Sequence, residues 1–242
     1  MQTLVRSMIF PGSPVEIPPA DALARIAPGA RVLTTRTADG LVLRAAWIRG
    51  GDPAGPVLVY FHGNAESAAE NLPLAVDLAG RANCDVVLAE YRGYGREPGE
   101  PSERGLYADG EAVLAALAAE GVAADRIVLV GRSLGSGVAV ELASRGHGRR
   151  LILVSPYTSM AAMGSRVVGP LASVLIEDRF DSLSKITGVK VPITILHGEE
   201  DDVVPFAMGK RLAEVSGASF VAIPGRGHND LDDLPERIAR AL

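Results

Sequence analysis

The sequence predicts one α/β domain built on a mostly parallel sheet. Three observations point there. Short, nearly all-apolar runs recur along the chain; longer segments rich in Ala, Leu and Glu separate them; and 242 residues suit a single domain, taken here as 1–242. Hydrophobic residues make up 48% and charged residues 22%, which excludes a disordered or collagen-like chain. The 24 Lys and Arg against 29 Asp and Glu give a net charge of −5. No basic excess is left to neutralise phosphates, so nucleic acid is not an expected partner.

The elements follow in order. Arg31–Arg36 and Leu41–Ile48 flank Ala38-Asp39-Gly40, a turn signal, and read as an N-terminal antiparallel hairpin. Val57–Phe61, Asp85–Ala89, Arg126–Val130, Leu151–Val154, Pro192–Leu196 and Ser219–Ile223 read as strands, most of them apolar throughout, as strands buried on both faces are. Between them Ala65–Arg81, Glu103–Glu120, Ser133–Ser144, Phe206–Val215 and Leu234–Ala241 read as helices, with Ser102 placed to cap the second. A hairpin followed by repeated βα units gives right-handed crossovers over a parallel sheet. Residues 155–181 exceed a simple connection and sit where such a sheet carries a cap. Met160, Met163, Val167, Val168, Leu171, Val174, Leu175, Ile176 and Phe180 would make that cap apolar, suited to an acyl chain; the plainer alternative is a helix packed on the core.

Met1 to Phe10 is broken by Pro11-Gly12, no run of 18 apolar residues occurs, and Gln2 replaces the glycine that myristoylation needs. Cys84 is the single cysteine, which precludes an internal disulfide or a Cys-based zinc cluster and fits a reducing compartment. The expectation is a soluble, cytoplasmic protein without an integral membrane segment, metal or cofactor.

The chemistry-bearing motif is Gly131-Arg132-Ser133-Leu134-Gly135, between a strand and a helix. In a G-x-S-x-G elbow the serine occupies a strained turn, with Oγ pushed out above the sheet, and the glycines remove Cβ atoms that would collide there. Gly137 and Ala139 would then let the helix approach the strands. A serine N-cap between glycines is the alternative. Serine needs a base, and the base an orienting acid. Four histidines are available. His228 lies on a Gly-flanked loop after the last strand; His62 and His197 end strands; His147 sits at a helix C-terminus. Asp201 and Asp202, on another strand-end loop, are the acid candidates. The order Ser133, Asp201, His228, at intervals of 68 and 27 residues, is serine, acid, histidine. For an oxyanion, Leu134 supplies one backbone N–H and the loop Phe61-His62-Gly63-Asn64-Ala65 the second, assigned to Asn64; a turn or helix cap is the alternative for Asn64.

These residues together resemble an α/β-hydrolase-fold serine hydrolase, nearest the α/β-hydrolase-domain branch that includes protein-depalmitoylating thioesterases. Tyr60-Phe61-His62-Gly63-Asn64-Ala65, Tyr91-Arg92-Gly93-Tyr94-Gly95, Glu100-Pro101-Ser102-Glu103, Gly131 to Gly135, Ser155-Pro156-Tyr157-Thr158-Ser159, His197 to Asp201 and Gly227-His228-Asn229-Asp230 carry the likeness. The resemblance implies Ser133 as nucleophile, His228 as base and, as the third residue after His-Gly, Asp201 rather than Asp202 as acid. It also implies a loop-anchoring role for Arg92. Members of the branch often carry an N-terminal membrane helix or a lipidated Cys cluster, which this sequence lacks, and a serine where this sequence has Glu97. The function expected is hydrolysis of a small-molecule ester or thioester. A peptidase or amidase using the same residues, and a non-catalytic binding protein on the same fold, are the alternatives.

Overall fold

A computed structural model describes residues 9–168 and 176–242. Its centre is an eight-stranded sheet of β1 (Arg31–Arg36), β2 (Val42–Ile48), β3 (Val57–Phe61), β4 (Asp85–Ala89), β5 (Ile127–Arg132), β6 (Arg150–Val154), β7 (Ile193–Gly198) and β8 (Ser219–Ile223). The order across the sheet is β1-β2-β4-β3-β5-β6-β7-β8. β1 and β2 form the antiparallel hairpin, β2 runs antiparallel to β4, and all later pairings are parallel.

The apolar runs are explained by period-two alternation between two buried faces. Along β3, Val57, Val59 and Phe61 enter one core cluster while Leu58 and Tyr60 enter the other. Fully burying each such side chain contributes about 1.5–3 kcal/mol, so the central strands hold the sheet together. Around it lie α1 (Ala20–Ile26), α2 (Leu72–Ala82), α3 (Glu103–Ala119), α4 (Leu134–Ser144), α5 (Met160–Val168), α6 (Ser182–Lys185), α7 (Phe206–Ser216) and α8 (Leu234–Arg240). Ser102 caps α3, its Oγ accepting from the Gly105 N–H at 3.1 Å. Among the described residues no helix is long and apolar enough to cross a membrane.

The structure corrects the expected elements in two places. α1 buries only Leu23, so it left no periodic signal. The helix expected from Ala65 begins at Leu72, after a short 3-10 turn at Ala69–Asn71 and with Pro73 in its first turn. Residues 65–68 instead follow the strand as a loop, with Ala65 at φ 57°. Ser67 and Glu70 held the clue: the Glu70 carboxylate reaches back to the Ser67 N–H at 2.9 Å, as in a capping box. Within the segment expected as a cap or a core-packed helix, α5 occupies the first part. Met160 and Met163 pack on the core, and Phe180 is fully buried edge-on to Tyr107 and Phe10. Leu171, Val174, Leu175 and the side chains of Val167 and Val168 lie outside the described residues, as does the segment from Met1 to Met8.

Cys84 is buried immediately before β4, and burial pushes its thiol up to about 12, which makes it inert packing. Arg92 is also buried. It donates from Nε to Asp109 at 2.9 Å on α3 and from Nη1 to Asp39 at 2.7 Å in the hairpin turn, joining the two. Glu97, nearly enclosed, pairs with Arg44 on β2.

Candidate active site

The parallel strands β3, β5, β7 and β8 deliver their following loops to one edge of the sheet, where ligand sites form in open α/β folds. At the end of β5 the chain reverses through Ser133, which has φ 48° and ψ −116°, a region costly for any residue with a Cβ. The Ser133 N–H donates to the Val154 carbonyl at 2.9 Å, and its own carbonyl accepts from the Ser136 hydroxyl at 2.6 Å. The flanking glycines are needed sterically. A Cβ at Gly131 would sit 2.5 Å from the Gly135 carbonyl oxygen, and one at Gly135 would run into the Phe61 carbonyl. Gly137 departs from expectation: the space it leaves is filled by Tyr157 and Phe180, not by a strand. Ser133 occupies the position before α4 but makes no side-chain capping bond, so its hydroxyl is not used as a cap.

That hydroxyl lies 3.1 Å from His228 Nε2. On the other side of the ring, Nδ1 is 2.8 Å from Asp201 Oδ2. An ionised carboxylate only accepts, so Nδ1 carries the proton and Nε2 is left as the acceptor facing the serine. Asp201 is 9% exposed, whereas Asp202 faces solvent. Burial alone would push the Asp201 carboxyl up. Hydrogen bonds from His197 and His228, the charge of His228 and the Val204 amide outweigh it and hold the group well below the usual carboxylate range. Oδ1 accepts the Val203 and Val204 N–H groups at 3.0 and 2.7 Å.

The other three histidines have other partners than the Ser133 hydroxyl. His197 directs Nε2 to the Val204 carbonyl at 3.0 Å and lies 3.3 Å from Asp201 Oδ2. α7 packs so closely over it that a Cβ at Gly209 would strike Nδ1. His147 pairs with Glu111 at the surface. His62, fully buried, has both ring nitrogens on acceptors: Nδ1 on the Gly63 carbonyl at 2.8 Å and Nε2 on Glu90 at 2.9 Å.

The β3 loop lies against the serine, since a Cβ at Gly63 would be 3.5 Å from the Ser133 Cβ. A trans peptide directs its C=O and N–H oppositely. Holding the Gly63 carbonyl on His62 therefore turns the Asn64 N–H away from that ring. The Asn64 side chain does not cap a helix. It accepts from the Tyr94 hydroxyl at 2.6 Å and donates to the Ile9 carbonyl at 2.5 Å. Leu134 is the first residue of α4, so its N–H has no acceptor within the helix.

Sequence reading overlooked Glu66. Its Oε1 accepts the Gly63 N–H at 2.5 Å and the Arg132 guanidinium at 2.8 Å. The Arg132 guanidinium is thus held in an ion pair. Among the described residues no cluster of three or more His, Cys, Asp or Glu side chains is placed to hold a metal ion.

Residues 52–179 match the hydrolase family described as serine aminopeptidase, S33. The chain is 36% identical over 228 residues to an uncharacterised protein of Mycobacterium tuberculosis, covering 91% of this chain and 80% of that one. It is 34% identical over 202 residues to alpha/beta hydrolase domain-containing protein 17B of Homo sapiens, covering 82% of this chain and 69% of that one. An esterase of Pyrococcus furiosus has the same fold, with a TM-score of 0.74 at 16% identity over 95% of both chains.

Proposed function

We propose, for a chain that belongs to the α/β-hydrolase family described as serine aminopeptidase, S33, hydrolysis of carboxylic esters or thioesters through an acyl-enzyme on Ser133. The observation that carries this reading is one line of contacts: Ser133 Oγ to His228 Nε2 at 3.1 Å, and His228 Nδ1 to Asp201 at 2.8 Å. In the first half-reaction Oγ attacks the acyl carbon and its proton passes to Nε2. The carbonyl becomes an oxyanion held by the Asn64 and Leu134 N–H groups. Collapse expels the alcohol or thiol, which takes the proton back from Nε2. Water then attacks the acyl-enzyme by the same route, releasing the carboxylic acid and free Ser133. Asp201 stays ionised throughout and stabilises the imidazolium. Each amide donor is worth about 10²–10³ in rate.

Ser133→Ala is expected to abolish covalent labelling by a fluorophosphonate and to lower turnover of a short acyl ester by on the order of 10³-fold or more. Undiminished turnover would overturn the assignment. Amide cleavage is the second reading, favoured by the word aminopeptidase in the family description. His228 would then protonate the poorer leaving amine. Matched ester and amide substrates separate the two, and an acyl-length series with oxygen esters and acyl-CoA thioesters defines the substrate.

A further inference from the structure

We infer that Arg132 and Glu66 are a positioning pair that clamps the loop bearing the Asn64 amide and the loop bearing His228 onto the serine elbow. This rests on the reading of Ser133, His228 and the Asn64 amide given above. Arg132 is the last residue of β5, so its backbone is part of the elbow. Its guanidinium reaches out in two directions. Nη1 meets Glu66 Oε1 at 2.8 Å; Nη2 donates to the His228 carbonyl at 3.1 Å and to Asn229 Oδ1 at 2.9 Å. Glu66 in turn holds the Gly63 N–H with the same Oε1, while its Oε2 accepts from Asn71 at 3.0 Å. Three loops far apart in sequence, at residues 63–66, 132–133 and 228–229, are thereby joined through one ion pair.

The guanidinium is suited to this task. It is planar and permanently charged, and it presents donors in a fixed fork, so one side chain can satisfy acceptors on two loops at set angles. A lysine would offer charge without the fork. The carboxylate accepts from two donors with one oxygen, and its other oxygen is tied to Asn71 beside α2, so the position of Gly63 is transmitted to a helix. Charge-assisted bonds of this kind are about twice as strong as neutral ones. The pair keeps only 17% and 18% side-chain exposure, so it is largely shielded from water and its effect on geometry is direct. Neither side chain hydrogen-bonds the Ser133 hydroxyl or the His228 ring, which makes them positioning residues and not catalytic ones.

The test compares Arg132→Met, Arg132→Lys, Glu66→Gln and the Arg132→Met/Glu66→Gln double variant on a short acyl ester, with thermal midpoint and fluorophosphonate labelling rate measured alongside. Displacing a reacting group by about 1 Å costs up to ~10²-fold. Arg132→Met is expected to lower kcat and the labelling rate by roughly 10–100-fold at temperatures where it is fully folded, with KM changed less than about threefold. Arg132→Lys should recover only part of the loss. The double variant should be no worse than the poorer single, because both remove one clamp. A kcat within about twofold of wild type, independent additive losses, or a loss that tracks the unfolded fraction would each overturn the inference. If Arg132→Met does not fold, Asn229→Ala and Glu66→Gln carry the same test on the two arms separately. Ser133→Ala in the same series keeps the outcomes apart. If it still labels, the site reading fails; if it is silent while Arg132→Met is fully active, only the clamp fails.

Discussion

His62, at the start of the loop that carries Asn64, sets Nε2 2.9 Å from Glu90 Oε1 in a fully buried contact. The second ring nitrogen faces the Gly63 carbonyl, so the imidazole has acceptors on both sides, which favours its protonated form. Burial would push its pKa down. The hydrogen bond and charge of Glu90, the charge of Glu66 and the Gly63 carbonyl outweigh that and raise it above the ordinary value of about 6.5.

A raised folded-state pKa gives stability that is fully present below the unfolded value and is lost as pH rises through the folded one. His62→Gln leaves Glu90 short of a charged partner, and breaking such a pair costs on the order of 3 kcal/mol. The gap between wild type and variant, followed by denaturant unfolding from pH 5 to 9, should be widest at pH 5–6 and narrow above about pH 6.5. A gap that does not move with pH would show that His62 is buried neutral.

The acid assignment predicts a contrast between neighbours. Asp201→Asn keeps the shape but removes the charge facing His228 and favours the wrong imidazole tautomer, so turnover should fall by about 10⁴-fold. Asp202, exposed to solvent, should tolerate the same change within about twofold. The reverse pattern would move the acid by one position. Because the Asp201 pKa is lowered in the fold, its ionised form contributes stability above the unfolded value of about 3.9, lost as pH falls through the folded value. The Asp201→Asn protein should therefore depend less on pH below about 4 than wild type.

These side chains differ in how far the sequence revealed them. Ser133, Asp201 and His228 each follow a strand-like run, and strand-end loops in a parallel sheet must converge; the fold brings them within hydrogen-bond distance. The strands were legible because both faces are buried, leaving unbroken apolar runs such as Val57–Phe61. Glu66 and Arg132 were harder. Their contact spans 66 residues and depends on side-chain directions that no local pattern encodes. The start of α2 was misplaced for a different reason: Ala65 to Glu70 is rich in helix formers, yet contacts to Gly63 and Arg132 override that propensity. Chain order and its Gly-flanked loop set His228 apart in the sequence, and the packing of His62 on Glu90 and of His197 under α7 shows what the other two strand-end histidines do.

Arg92 anchors two segments of unequal burial. Asp109 is 1% exposed at its side chain, while Asp39 is 53% exposed. Arg92→Met strands the buried Asp109 carboxylate and should cost about 3–5 kcal/mol, read as a large drop in the denaturant midpoint. Asp39→Asn touches a pair open to water and should cost under about 1 kcal/mol. Equal losses would mean that the hairpin contact, not the buried pair, carries the stability.

Two glycine-to-alanine changes should act in opposite directions. Both positions lie in helices, Gly135 in α4 and Gly80 in α2. Alanine is the better helix former by about 1 kcal/mol, so propensity alone favours both changes. At Gly80 an added Cβ would meet nothing within 4 Å, and Gly80→Ala should stabilise by about 0.5–1 kcal/mol. At Gly135 the new carbon would strike the Phe61 carbonyl, and both partners are backbone in elements that cannot rotate away. Overpacking costs about 1–3 kcal/mol or more, enough to outweigh the propensity gain. Relief requires α4 to move from β3, which separates the Leu134 and Asn64 amides. Gly135→Ala should therefore lose stability and lower kcat together, whereas Gly80→Ala raises the thermal midpoint with kcat unchanged. A Gly135→Ala protein with full turnover would show that the close approach of α4 to β3 is not what sets the spacing of those two amides.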